Sequence, residues 1–209
     1  MSSATNSTNN LTKNSSSDRQ SPIGPYPRAT IAGIALLVLL AFSFSGLRAE
    51  TWTALLPFFE WMETTWFGYV GKTWGGAFAT IQAGHLVSLG VLGGAVLFSD
   101  GRLLGLYSSL PLREVIDGSH QVFKWALAVV VFTGVFMACG VAVKVYYLPV
   151  FWYKMLTLTV GVLFAFYVRK PLIDRDLSVV SPLVVKLTAV ASIMVWFTVA
   201  ATGRWIGFS

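Results

Sequence analysis

His85 stands in the stretch IQAGHLVSLG, within an apolar run from about Thr73 to Phe98 that holds no other residue able to carry a charge. An ionisable side chain in such surroundings marks a candidate site, because keeping it there is costly unless it has a partner or a task. A neutral imidazole beside sulfur donors suits Cu(I), and a histidine facing a methionine or an open position suits haem iron. The same ring could instead hydrogen-bond a hydroxyl on a neighbouring helix and hold two helices in register.

The elements that must position it follow from composition. Of 209 residues, 55% are hydrophobic and 11% charged, with a mean hydropathy of +0.68, too apolar for the surface of a soluble domain. Crossing about 30 Å of hydrocarbon takes about 20 helical residues. Five stretches qualify: Ala29 to Gly46, Thr73 to Phe98, Val122 to Val143, Pro149 to Val168 and Leu183 to Trp205. The alternating pattern of a membrane barrel is absent. The expected fold is therefore all-α: a polytopic membrane helical bundle with a four-helix core, an N-terminal transmembrane anchor and an interfacial amphipathic helix.

Counting about 1.5 Å per residue from each span's basic end puts His85 roughly 20 Å up, just past the midplane. Thr133 and Gly134 reach that level on the next span, Lys154 and Met155 on the fourth, and Met194 and Trp196 on the fifth. The candidate metal set is thus His85, Met155 and Met194, with Thr133 as the competing hydrogen-bond partner. Lys154 and Arg204, nearer the other surface, could pair with haem propionates. His120 starts its span some 20 Å away in depth, so it cannot clamp the same iron from the opposite face. It is expected as an exposed or capping residue.

All nine acidic residues fall outside the five runs, so no buried carboxylate is expected. That disfavours proton-driven transporters, which need an acidic relay in the membrane, and hydrolases, which need a base beside the nucleophile. GxxxxGK[ST], HExxH, CxxC and GxSxG are also missing, removing the motif-bearing enzyme classes. Cys139, the single cysteine, lies in a span and reads as a small packing residue. Gly90 with Gly94, and Gly134 with Ala138, have the spacing that lets membrane helices approach closely.

Charge sets the orientation. With the N-terminus cytoplasmic, that side holds Lys13, Arg19, Arg28, Arg102, Arg113, Lys124, Arg169, Lys170, Arg175 and Lys186, ten basic residues against five opposite: Arg48, Lys72, Lys144, Lys154 and Arg204. This bias explains the net charge of +6 as topology, and without a basic stripe interleaved with aromatics no nucleic-acid partner is expected. Residues 1–28, rich in Ser, Asn and Thr, read as a disordered cytoplasmic tail. Residues 29–46 read as an uncleaved anchor, because Leu47-Arg48-Ala49 is a poor cleavage site. Residues 52–206 form the four-helix membrane domain. Its leading stretch, with Trp52, Trp61, Trp66 and Trp74, suits a helix in the headgroup layer.

FFEWMETT (58–65), the histidine span ending in SDGRLLGL (99–106), LREV (112–115), FTG (132–134), LPVFWYKMLTL (148–158) and VWFTVAATGRWI (195–206) occur in one order. Together they resemble a family of small, uncharacterised bacterial four-helix membrane proteins and, less closely, the CopD-type copper-export or copper-resistance domain. The resemblance covers about residues 58–206. It implies an inner-membrane bundle in which His85 matches the family's in-span histidine, Lys154 its lysine and Arg204 its terminal arginine. The chain lacks the methionine-rich and histidine-rich outer segments of the copper exporters.

The expectation is a bacterial inner-membrane protein, N-terminus cytoplasmic and C-terminus periplasmic, using His85 for copper handling or membrane redox chemistry with Cu(I) or haem b. The alternative is a non-catalytic accessory subunit of a larger membrane protein complex. A third reading has His85 ligating the magnesium of a chlorophyll.

Overall fold

The computed structural model describes residues 27–177 and 179–208. The tail expected over 1–28 lies outside the described residues except for Pro27 and Arg28, which open the first helix. Among the described residues nine α-helices follow one another: α1 (Pro27–Ser43), α2 (Leu47–Thr64), α3 (Trp66–Thr73), α4 (Gly75–Leu104), α5 (Leu112–Gly140), α6 (Ala142–Tyr147), α7 (Pro149–Leu163), α8 (Lys170–Ile173) and α9 (Pro182–Trp205). A π-helical turn, Phe164–Arg169, joins α7 to α8 without a break, and a short 3₁₀ turn, Ile206–Phe208, follows α9.

Among the described residues four continuous helical segments are long and apolar enough to cross a membrane: Gly75–Leu104, Leu112–Gly140, Pro149–Ile173 and Pro182–Phe208. They outrun the apolar stretches that announce them, since a helix continues through polar residues wherever its backbone bonds stay satisfied. The apolar helix at Pro27–Phe42 is shorter and packs along the π-helical turn.

Local chemistry sets the ends of the spans. α4 stops at Gly105, whose φ of +102° is a left-handed conformation that costs other residues more; Leu106 N–H then bonds the Gly101 carbonyl at 2.9 Å. Pro149 and Pro182 open α7 and α9, where a missing N–H costs nothing. Arg113 donates to the carbonyls of Ile173 and Arg175 at 3.0 and 2.7 Å, fastening the start of α5 to the end of α8.

In the bundle α4 packs against α5 and α9, and α7 against α9. Its centre is apolar: Leu92, Val96, Phe123, Leu127, Ala165, Trp196 and Val199 form one buried cluster, with the Phe123 and Trp196 rings edge-on at 5.0 Å. At one end of the bundle α2 and α6, with the start of α7, build a separate aromatic cap. Phe59, Ala142, Val145 and Tyr146 are its core, and Tyr146 donates its hydroxyl proton to the Trp52 carbonyl at 2.6 Å. The aromatic stretch expected as one interfacial helix is two, because Thr65 is extended (ψ 163°) and its hydroxyl caps α3 by accepting from Gly68 N–H.

Of the glycines expected to let helices approach closely, Gly134 does so, a Cβ there standing 3.4 Å from His85 Cε1 on α4, and Gly90 and Gly94 do not. A Cβ at Gly90 or Gly94 would meet nothing within 4 Å, whereas one at Gly71 would lie 2.9 Å from the Gly140 Cα, where α3 crosses α5. Cys139, beside that crossing, is buried as expected.

Candidate functional site

Two polar levels interrupt the bundle, one on each side of the apolar centre. At the level nearer the aromatic cap His85 is 5% exposed and its Nδ1 lies 2.8 Å from Thr133 Oγ1. The same hydroxyl is 2.6 Å from the Val129 carbonyl, four residues back on α5. A threonine hydroxyl has one proton; when the Val129 carbonyl takes it, the oxygen accepts from His85 Nδ1–H and Nε2 keeps its lone pair. Gly134 makes room for the ring: a Cβ there would stand 3.4 Å from His85 Cε1.

Lys154 lies within electrostatic reach of His85, its chain laid over Gly203 so that a Cβ there would sit 3.6 Å from its Cε. Next to it Thr157 and Thr202 join α7 to α9 through their hydroxyls at 3.0 Å. Of the residues expected at this level, the bundle brings together His85, Thr133, Gly134 and Lys154. Met155 is half-buried on α7. Met194 is 65% exposed on α9, and Trp196 belongs to the apolar centre. Arg204 is exposed on the last turn of α9, its guanidinium carbon 4.4 Å from the centroid of the Phe208 ring. Among the described residues no three of His, Cys, Asp and Glu gather as metal ligands.

The second level, away from the aromatic cap, corrects the expectation that no carboxylate is buried. Asp100 on α4 has no exposed surface, and Arg169, the last residue of the π-helical turn, donates to its Oδ1 through Nε at 2.8 Å and Nη2 at 2.5 Å. Nη2 also reaches Ser99 Oγ at 2.8 Å. Asp100 falls outside the apolar run that ends at Phe98, but α4 carries on to Leu104 and takes it inside. The paired cation makes the position tenable, since an isolated buried carboxylate would cost far more than the fold can offset. π-turns recur at functional sites, and this one ends on Arg169.

Ser192 of α9 lies beside the same carboxyl. Its hydroxyl and Asp100 Oδ2 nonetheless miss hydrogen-bond geometry, and they are the two enclosed side-chain polar atoms without a partner among the described residues. A cavity of about 10 Å³ adjoins Ser192, lined also by Ser99, Ser119, His120 and Arg169. His120, expected to be exposed or capping, is half-buried there: its ring stacks on Phe123 (6.3 Å, 15°) and meets Phe166 edge-on at 5.8 Å. Asp100 and His85 are fifteen residues apart on one helix, roughly 22 Å in depth. The two levels are separate sites.

Fold and site together define a polytopic α-helical membrane protein with a histidine level and a carboxylate–guanidinium level. The chain belongs to a family of unknown function, DUF6644, which matches residues 58–209. No curated protein and no solved structure matches it.

Proposed function

We propose that this chain is an inner-membrane protein of CopD-like type that serves membrane redox chemistry or copper handling, with His85 Nε2 as the ligand atom for the iron of haem b or for Cu(I). The observation that carries this reading is the path from His85 through Thr133 to Val129. Metal-binding histidines are oriented in this way, one ring nitrogen donating to a fixed acceptor while the other faces the metal.

Haem fits the donor set better than a bare copper ion. Among the described residues His85 has no His, Cys, Asp or Glu beside it to complete a ligand trio, and a porphyrin supplies four donors of its own. When bound, haem would supply one-electron transfer, its potential set by ligand and surroundings. The chain's part is to fix the imidazole through Thr133, leave space at Gly134 and hold the cation of Lys154 close to the ring. Lys154 and Arg204 would meet propionates, and Met155 would be the thioether left to Cu(I), since Met194 stands exposed on α9. The more basic end of the bundle, with Arg102, Arg113 and Arg175, faces the cytoplasm in this reading.

The test is the cofactor content of purified protein. Wild type should carry haem or copper in stoichiometric amount, and His85→Ala should lose it. Thr133→Val, which keeps the ligand but removes its orienting oxygen, should lower affinity for the group about 10–100-fold. Retention of the wild-type content by His85→Ala would overturn the assignment.

A further inference from the structure

An open groove of about 590 Å³ runs along the outside of the bundle, lined by Lys124, Leu127, Ala128, Val131, Phe132 and Val135 of α5 and by Phe166 of the π-helical turn. It exists because α7 packs on α9, leaving this face of α5 uncovered. From Lys124 to Val135 is eleven residues, or about 16 Å along the helix, close to half of the roughly 30 Å hydrocarbon thickness. The groove thus spans about one leaflet, and its walls apart from Lys124 are apolar.

Lys124 marks its basic end. The ammonium is exposed and has no acidic partner among the ion pairs of the described residues, which are Lys72–Glu63, Arg169–Asp100 and Lys170–Asp174. Lys124, Lys170 and Arg169 all lie within electrostatic reach of His120, with Asp174 opposing them. Asp100 and Asp174 occupy the other two cations, leaving Lys124 as the uncompensated charge at the groove's mouth.

We propose that this groove binds an anionic phospholipid, its acyl chain along Leu127, Val131 and Val135 between Phe132 and Phe166, and its phosphate on Lys124. The complementarity is of charge at one end and of apolar length along the rest. A basic pocket between membrane helices on the cytoplasmic side is a recognised means of selecting anionic headgroups. A zwitterionic lipid would fill the same walls but gain less at the mouth.

Native mass spectrometry of the full chain, titrated with phosphatidylglycerol or phosphatidylcholine of matched acyl chains, tests this. Wild type should retain one phosphatidylglycerol in preference to phosphatidylcholine. Lys124→Gln should lower the phosphatidylglycerol affinity about fivefold and leave phosphatidylcholine unchanged. Ala128→Trp, which fills the groove from the lipid-facing side, should reduce retention of both while the melting midpoint stays at the wild-type value. Equal retention of the two lipids by wild type would overturn the proposal. So would an undiminished preference in Lys124→Gln, or unchanged retention in Ala128→Trp.

Discussion

Replacing Arg169 with methionine isolates the contribution of the carboxylate–guanidinium level. The substitution keeps much of the side-chain length and removes the cation, leaving Asp100 with no exposed surface and without the bonds at 2.8 and 2.5 Å that now compensate it. Breaking a buried ion pair from one side costs about 3–5 kcal/mol, because a charge remains with nothing opposite. In a chain of 209 residues each kcal/mol moves the melting midpoint by about 2–4 °C, so Arg169→Met should melt about 6–20 °C below wild type. The double variant Asp100→Asn, Arg169→Met has no stranded charge and should recover most of that loss, since well-packed neutral replacements of buried pairs are often close to neutral. Thermal melts of wild type, both single variants and the double variant in one detergent at neutral pH give the coupling energy directly. A single variant that melts within about 2 °C of wild type, or a double variant no more stable than Arg169→Met, would refute the buried pair as the organising contact.

Ser99 and Ser192 should differ sharply: Ser99→Ala loses the Arg169 bond and should cost about 1.5–3 kcal/mol, whereas Ser192→Ala deletes an unpartnered hydroxyl and should be neutral or stabilising in the same melts. Gly71→Ala places a carbon 2.9 Å from Gly140 Cα and should cost about 1–3 kcal/mol through overpacking of α3 on α5; an unchanged midpoint would show that this crossing relaxes freely. At the aromatic cap, burial pushes the Glu63 carboxyl upward, but the bonds from Lys72 and from the Val143 N–H outweigh it and hold the group below the usual carboxylate range. A lowered folded value contributes stability that is fully present above the unfolded value and is lost as pH falls through the folded one. Midpoints measured from neutral to acid pH should therefore decline more steeply for wild type than for Glu63→Gln, and parallel curves would count against the assignment.

The four crossings were legible because long apolar runs in a charged-poor chain have few other solutions. The histidine level was legible too: counting residues from the span ends set His85 beside Thr133, and the two are hydrogen-bonded. Asp100 and Arg169 escaped because each stands just past the end of its apolar run, where a charge reads as the start of a loop. The signal was nonetheless present. Phe98 and Val168 end their runs at the same depth, so the residues following them had to share a level, with opposite charges. Met194 shows the converse limit, since depth can be counted from sequence but the face of a lipid-exposed helix cannot. Where α7 and α8 meet, the π-helical turn shifts the register and takes Arg169 inward, which no 3.6-residue count anticipates.

The most direct test of the central claim is the dithionite-reduced minus oxidised absorption spectrum of wild type and His85→Ala, with copper assayed on the same samples. The account predicts a Soret shift with an α band, or stoichiometric copper, in wild type and its loss in His85→Ala. A wild-type protein with neither signal, or an alanine variant that keeps it, would contradict the assignment of His85 as the ligand.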